Sequence, residues 1–299
     1  MFLKPESKNE KAYAKYVDKS GVFSNKFCNA LPQTVIAKAV RAHLDCGGKI
    51  KKVAVIGFDG ARADSLVPVV KSDYDPYINR AKYSALEELK EQGGIYLCYT
   101  GGEKGETQET STPQGWATLL TGKWAKETGI YSNETLTKEK TFLYEYAEKG
   151  KKTVFNGIWP VHFTHTYKGE AEKGKNENLP IEFYQCEDND DILTEKMIKS
   201  VTEDNCDISF CILELPDHMG HETKGGFNNK NPQYVKAVTL CDKNAYKIIK
   251  AIESRPTYED EDWLIIISAD HGGHLRGHGT QLFTDRTVFI ASNKKEYFE

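Results

Sequence analysis

Histidine is scarce in this chain and unevenly spread: five of its eight, His218, His221, His271, His274 and His278, fall between positions 218 and 278. Carboxylates sit among them. Asp217 precedes His221 by four residues, Asp270 adjoins His271, and His278 stands between two glycines. Carboxylate and imidazole together suit zinc and other borderline first-row divalent ions, whereas calcium is held by oxygen alone. Taken singly, each piece has an ordinary reading. An Asp-His dipeptide can be a plain loop, an Asp after a strand can be a helix cap, and Asp59-Gly60-Ala61-Arg62 can be a simple strand-to-helix connection. Their recurrence, each time directly after an apolar stretch, turns the reading toward a metal site.

Those apolar stretches are the elements that must position the ligands. Val53–Phe58, Gly94–Tyr99, Thr153–Asn156, Asp207–Leu215, Trp263–Ala269 and Thr287–Ala291 read as strands. Helices are expected over Asn9–Val17, Leu31–Leu44, Tyr83–Gln92, from Thr112 to Gly122, and over Thr141–Glu148, Asp191–Thr202 and Tyr234–Ser254. The segment from Trp159 to Tyr184 shows no period and reads as an inserted loop or small cap. Strands alternating with helices predict an α/β fold, a three-layer sandwich whose mostly parallel central sheet has helices on both faces. In such folds ligands gather at the carboxyl ends of strands. Asp59, the loop leading to Thr112, Asp217 and Asp270-His271 all follow strands and would converge on one rim.

Composition sets the outer limits. With 299 residues, 39% hydrophobic and 28% charged, the chain is long enough to bury a self-sufficient core. A net charge of −4 speaks against a generally basic nucleic-acid binder, and no nucleic-acid polymer is expected as partner. The longest apolar run, Trp263–Ala269, has seven residues against the roughly 18 a membrane span needs. Met1-Phe2-Leu3-Lys4-Pro5 turns to charge at once, with no secretory apolar region. Seven scattered cysteines, none in a Cys-x-x-Cys pair, read as reduced packing thiols. A cytoplasmic location is the expectation.

Four segments carry a resemblance. FDGARADSL from Phe58, TPQGWATLLTG from Thr112, PDHMGHETKGG from Pro216 and SADHGGHLRGHG from Ser268 look like the successive motifs of the alkaline phosphatase superfamily. They are most similar to its nucleotide pyrophosphatase/phosphodiesterase branch. Order and strand-end placement agree from Val53 to Ile290; residues 1–50 then read as a helical N-terminal extension to a phosphoesterase domain over 51–299, with a small insertion at about 159–184.

The resemblance implies an alkaline-phosphatase-like fold and two divalent ions, with zinc the expected metal. One ion would be held by Asp217, His221 and His278, the other by Asp59, Asp270, His271 and the nucleophile. In phosphodiesterases and sulfatases the nucleophile stands ten residues before the Gly of the Leu-Leu-Thr-Gly segment, which here is Thr112, with Ser111 one residue off as the alternative. A sulfatase needs Cys or Ser at that position, so Thr112 favours phosphoryl chemistry. Asn133, twenty-one residues beyond Thr112 in ETGIYSN, matches a phosphate-binding Asn of the phosphodiesterases; read as a residue alone it is equally a turn former. Pro113-Gln114-Gly115 replaces the family's aromatic-Pro-Asn, so the substrate-side wall differs.

The expected activity is therefore hydrolysis of phosphodiester or related phosphate-ester bonds in a small substrate, through a phosphothreonine intermediate. Two ions about 4 Å apart clamp such a displacement. Alternatives on the same core are a phosphomutase or phosphotransferase and a sulfatase-like hydrolase; a binding protein with a degenerate site is the non-enzyme alternative, against which the full ligand set speaks. His218 and His274 receive no family role and read as hydrogen-bonding or solvated side chains. His162 and His165, among Trp159, Phe163 and Tyr167, could line a substrate cap or simply pack. Lys123 and Arg276 are candidate phosphate contacts or ordinary solvated cations.

Overall fold

In the computed structural model of the chain, residues 3–71, 83–187 and 189–299 are described. Ten strands are present among them: β1 (Leu31–Pro32), β2 (Ile50–Phe58), β3 (Gly94–Tyr99), β4 (Gly102–Glu103), β5 (Glu106–Thr107), β6 (Thr153–Gly157), β7 (Ile181–Gln185), β8 (Ile208–Leu213), β9 (Glu261–Ser268) and β10 (Thr287–Ser292). Eight of them form one sheet in the order β1-β3-β10-β9-β2-β8-β6-β7, and β4 and β5 make a small hairpin. Only β10 runs against its neighbours; every other pair in the sheet is parallel. The carboxyl ends of seven strands therefore share one edge with the amino end of β10.

The central strands are apolar because they are covered on both faces. In β2 every residue from Val53 to Phe58 is buried, as is all of β8. Helices α1 (Lys8–Lys19), α2 (Val35–Asp45), α3 (Ala85–Gln92), α4 (Thr112–Thr121), α5 (Phe142–Glu148), α6 (Asp190–Val201), α7 (Leu215–Glu222) and α8 (Pro232–Glu253) surround the sheet. α2, α4 and α5 pack on one another, α8 packs with α3, α6 and α7, and the sheet lies between the two groups. No helix among the described residues is long and apolar enough to cross a membrane.

Two segments differ from the sequence expectation. Residues 159–184 are not loop alone: they hold a helix over Lys168–Asn176 and run into β7 at the sheet edge. The helix reads KGEAEKGKN, so no apolar period announces it, and the edge strand is only half-buried. Upstream, Leu31–Pro32 is a short edge strand beside β3, and the helix starts only at Val35.

Candidate metal centre

The expected ligands lie in the segments that follow strand ends or open helices. β2 stops at Phe58 and Asp59 follows, its N–H donating to the Leu213 carbonyl of β8 at 2.9 Å. β8 leads into α7, which carries Asp217 in its first turn and His221 one turn on, so four-residue spacing sets both on one face. Pro216 falls in the first turn of this helix, where its missing N–H costs nothing, and the helix continues through Gly220. β9 ends at Ser268, and the connection to antiparallel β10 never leaves the rim, placing Asp270, His271 and His278 in one passage. Thr112 opens α4, with Ser111 as its N-cap.

Two triads result. Asp59, Asp270 and His271 bring ligand atoms within 4.8 Å of one another, and so do Asp217, His271 and His278. His271 Nε2 lies 3.6 Å from Asp59 Oδ1 and 3.3 Å from Asp270 Oδ2; His278 Nε2 lies 3.8 Å from Asp217 Oδ1. The His271 and His278 rings stack with centroids 3.9 Å apart, so the triads adjoin. His221 closes the second group, its Nε2 3.4 Å from Asp217 Oδ2. Thr112 Oγ1 is 3.2 Å from His271 Nε2.

The polar accounting of this cluster points to cations. His271 Nδ1 meets the Gly272 carbonyl at 2.7 Å, His221 Nδ1 the Arg276 carbonyl at 2.9 Å, and His278 Nδ1 the Thr110 carbonyl at 3.1 Å. A carbonyl only accepts, so Nδ1 carries the proton in each ring and a neutral imidazole presents a bare Nε2 lone pair inward. The carboxylates are arranged likewise. Asp59 Oδ2 accepts from the Trp116 indole at 3.1 Å and Asp270 Oδ1 from the Gly60 N–H at 3.1 Å. Their other oxygens, Asp59 Oδ1 and Asp270 Oδ2, are buried without a hydrogen-bond partner, as is Asp217 Oδ1. Lone pairs thus face lone pairs across the site. Divalent cations among these atoms would remove the conflict, and the donor set of three carboxylates and three imidazoles fits zinc-type ions.

Electrostatics agree. Burial, then the charges of Asp270 and Asp217, pushes Asp59 well above the usual carboxylate range. Burial, with the Asp217 charge added, does the same to Asp270. Asp217 is also pushed up by burial, but its bond to His221 and the nearby imidazoles outweigh this and hold it below the ordinary value. Burial and the neighbouring His271 lower His278 to about 3, keeping it a neutral ligand.

A cavity of 660 Å³ opens over the centre, lined by Asp59, Thr112, Asp217, His221 and His278, with Ser111 and the exposed Asn133 at its wall. Ser111 Oγ donates to Gln114 Oε1 at 2.5 Å, whereas Thr112 Oγ1 faces the imidazole cluster. His218 lines the cavity as an exposed side chain, while His274 is turned to Asp285 Oδ1 at 2.8 Å. Of the supposed cap residues Trp159 lines the cavity; His162 and Tyr167 are wholly buried. Lys123 pairs with Glu139 at 2.6 Å, and Arg276 donates to the His221 carbonyl at 2.6 Å. Trp116 was missed as a site residue. Its place four residues after Thr112 on α4 is the signal that could have found it.

Solved structures share this fold. Murine ectonucleotide pyrophosphatase/phosphodiesterase 5 superposes with a TM-score of 0.50 at 18% identity, over 74% of this chain and 57% of that one. The chain has an alkaline-phosphatase-like fold. Phosphonoacetate hydrolase from Sinorhizobium meliloti is similar with a TM-score of 0.51 at 12% identity, over 75% of this chain and 57% of its own. A sulfatase-like protein of Bacteroides fragilis, YidJ, reaches a TM-score of 0.56 at 12% identity, over 84% and 69%. This alkaline-phosphatase-like chain thus spans less than three fifths of the first two relatives, each covered over 57% of its length. At the level of sequence, no family model and no curated protein matches it.

Proposed function

We propose that this chain is a metal-dependent phosphoesterase, hydrolysing a phosphodiester or related phosphate ester with Thr112 as covalent nucleophile. The observation that carries the reading is the set of buried, unpartnered oxygens of Asp59, Asp217 and Asp270 facing imidazole lone pairs beside the Thr112 hydroxyl. Asp59, Asp270 and His271 would hold one zinc-type ion and Asp217, His221 and His278 the other, with His271 bordering both. The ions supply the positive charge that lets an alkoxide approach an anionic phosphoryl group.

The chain's own groups do the rest. Thr112 starts a ten-residue helix, so its Oγ1 is fixed at a helix amino terminus, where N–H groups favour phosphoryl oxygens. The Asn133 amide, at the wall of the same cavity, is the candidate side-chain donor to a phosphoryl oxygen. In the first step the Thr112 Oγ1–P bond forms as the ester P–O bond breaks, and the hydroxyl proton ends on the departing alcohol. Water then adds its oxygen to phosphorus, the Oγ1–P bond breaks, and Thr112 regains a proton. A threonine also lacks the thiol from which a sulfatase builds its reactive aldehyde hydrate, which favours phosphate over sulfate esters.

Elemental analysis of the purified protein, with rates on a phosphomonoester, a phosphodiester and a sulfate ester before and after chelation, tests this. Two ions per chain and chelator-sensitive phosphate-ester turnover are expected. Less than one ion after metal loading, or faster turnover of the sulfate ester, overturns it.

A further inference from the structure

Of the three inward-facing imidazoles, His278 alone finds its carbonyl partner in the segment that carries the nucleophile. That carbonyl belongs to Thr110, wholly buried and two residues ahead of Thr112. The Thr110 side chain reaches the same passage. Its Oγ1 donates to the Thr280 carbonyl at 2.7 Å and accepts from the Gly279 N–H at 3.1 Å. A hydroxyl has one proton; the carbonyl takes it, and a lone pair is left for the N–H. His278, Gly279 and Thr280 are thus held in succession by one residue.

His278 needs such a hold. Its ring stacks on His271, but glycines flank its main chain, and a Cβ on Gly277 or Gly279 would meet nothing within 4 Å. Gly279 also stands at a φ of +100°. Backbone of this kind is permissive and must be fixed by hydrogen bonds rather than by packing. Among the described residues, every hydrogen bond of His278 and Gly279 goes to Thr110. The far side of the passage is anchored: the Thr280 N–H and hydroxyl both donate to buried Asp285 Oδ2, at 3.0 and 2.7 Å. Thr110 is anchored too, since its Cγ2 lies only 2.9 Å from where a Cβ on Gly101 would stand. From Thr110 the chain runs directly into Ser111, the N-cap of α4, and Thr112, its first residue. We propose that Thr110 is a positioning residue that ties the ion held by Asp217, His221 and His278 to the nucleophile, so that filling this ion site and aiming the Thr112 hydroxyl are coupled. The inference rests on the phosphoesterase reading and adds to it a residue outside the ligand set.

Three variants test it. Thr110→Val keeps the shape and loses the hydroxyl, Thr110→Ser keeps the hydroxyl and loses the methyl, and Thr110→Ala, which crowds nothing, repeats the hydroxyl deletion should valine disturb folding. In zinc titrations against a chelating dye, the valine and alanine proteins should hold one ion about 10–100-fold more weakly and the other as the parent does. Their kcat on a 4-nitrophenyl phosphodiester, measured at saturating zinc, should fall about 10²-fold from misplacement of the nucleophile. Thr110→Ser should stay within a few-fold of the parent in both. Parental ion affinities in the hydroxyl-free proteins overturn the proposal, as does a kcat unmoved at saturating zinc. Equal weakening of both ions overturns it, because the tie is drawn to His278 alone. So do losses in Thr110→Ser that match those of Thr110→Val, since packing of the side chain would then be the cause. If the parent cleaves no phosphate ester while hydroxyl loss still weakens one ion, the phosphoesterase reading fails and the tie between Thr110 and the His278 ion stands. A parent that cleaves the ester and is equalled by the hydroxyl-free proteins leaves that reading intact and removes the tie.

Discussion

Three imidazoles in this chain are held in the same way, each giving its Nδ1 proton to a backbone carbonyl and keeping Nε2 for the interior. The tautomer is thus set by the main chain, and ligand geometry depends on residues that touch no ion. Trp116 does for Asp59 what the carbonyls do for the histidines. Trp116→Phe keeps the ring and removes the donor to Asp59 Oδ2, so affinity for the ion beside Asp59 should fall about 10–100-fold, measured by competition with a chelating dye. An unchanged affinity would show that packing alone orients Asp59. For the nucleophile, Thr112→Ala should cut turnover by several powers of ten while both ions stay bound, since the six carboxylate and imidazole ligands remain. Thr112→Ser should retain measurable activity, and Ser111→Ala should stay within a few-fold of the parent because its hydroxyl is spent on Gln114. Rates from Ser111→Ala and Thr112→Ala that are reversed would move the nucleophile by one residue; activity surviving both would end the covalent mechanism.

Among the elements, α4 and the β9–β10 connection touch so closely that only glycine fits between them. A Cβ on Gly115 would lie 2.5 Å from the Asp270 carbonyl oxygen and 2.6 Å from the Asp270 Cβ, so Gly115→Ala must push Thr112 and Asp270 apart. Overpacking of this kind costs about 1–3 kcal/mol, and kcat should drop about 10²-fold from misplacement alone. A protein with parental kcat and metal content would show that α4 can slide without harm. Much of this layer is legible in the sequence. The Val53–Phe58, Phe210–Leu213 and Trp263–Ile267 stretches of β2, β8 and β9 are unbroken apolar runs followed by Asp, Glu or Ser, so their ends, and the ligands that follow, can be read directly. The helix at Leu215–Glu222 is not, because Pro216 and Gly220 are poor helix formers and only tertiary packing, with the Phe227 ring lying against Gly220, makes room for them. The Lys168–Asn176 helix and β7 are hidden for the opposite reason: they face solvent, and no apolar pattern marks them. Glu214 directly follows β8 and Trp159 lies two residues past β6, yet nothing in their residue types marks them as cavity wall.

For the whole molecule, the proposed metal centre gathers buried carboxylates, and bound cations would turn the cost of burying them into stability. The raised Asp59 and Asp270 favour folding only while protonated; that contribution is full below the ordinary carboxylate value of 3.8 and is lost as pH climbs through their higher folded values. His278, held at about 3, works oppositely: its contribution is full above 6.5 and lost as pH falls toward 3. Ions need deprotonated carboxylates and neutral imidazoles, so the Tm gained on adding zinc should be larger at pH 8 than at pH 5. A gain that is the same at both values, in melts with and without chelator, would place metal binding away from these groups. The central position of β2 has a further consequence, in the history of each molecule as it is made. Val53 pairs with Ile208 on one side and Leu264 on the other, so this strand leaves the ribosome long before either neighbour exists. At about 5–20 residues per second, it waits roughly ten to thirty seconds as a bare apolar segment. Newborn chains halted before Trp263 should therefore sediment with chaperones, and release should come only when β9 emerges and slots beside β2.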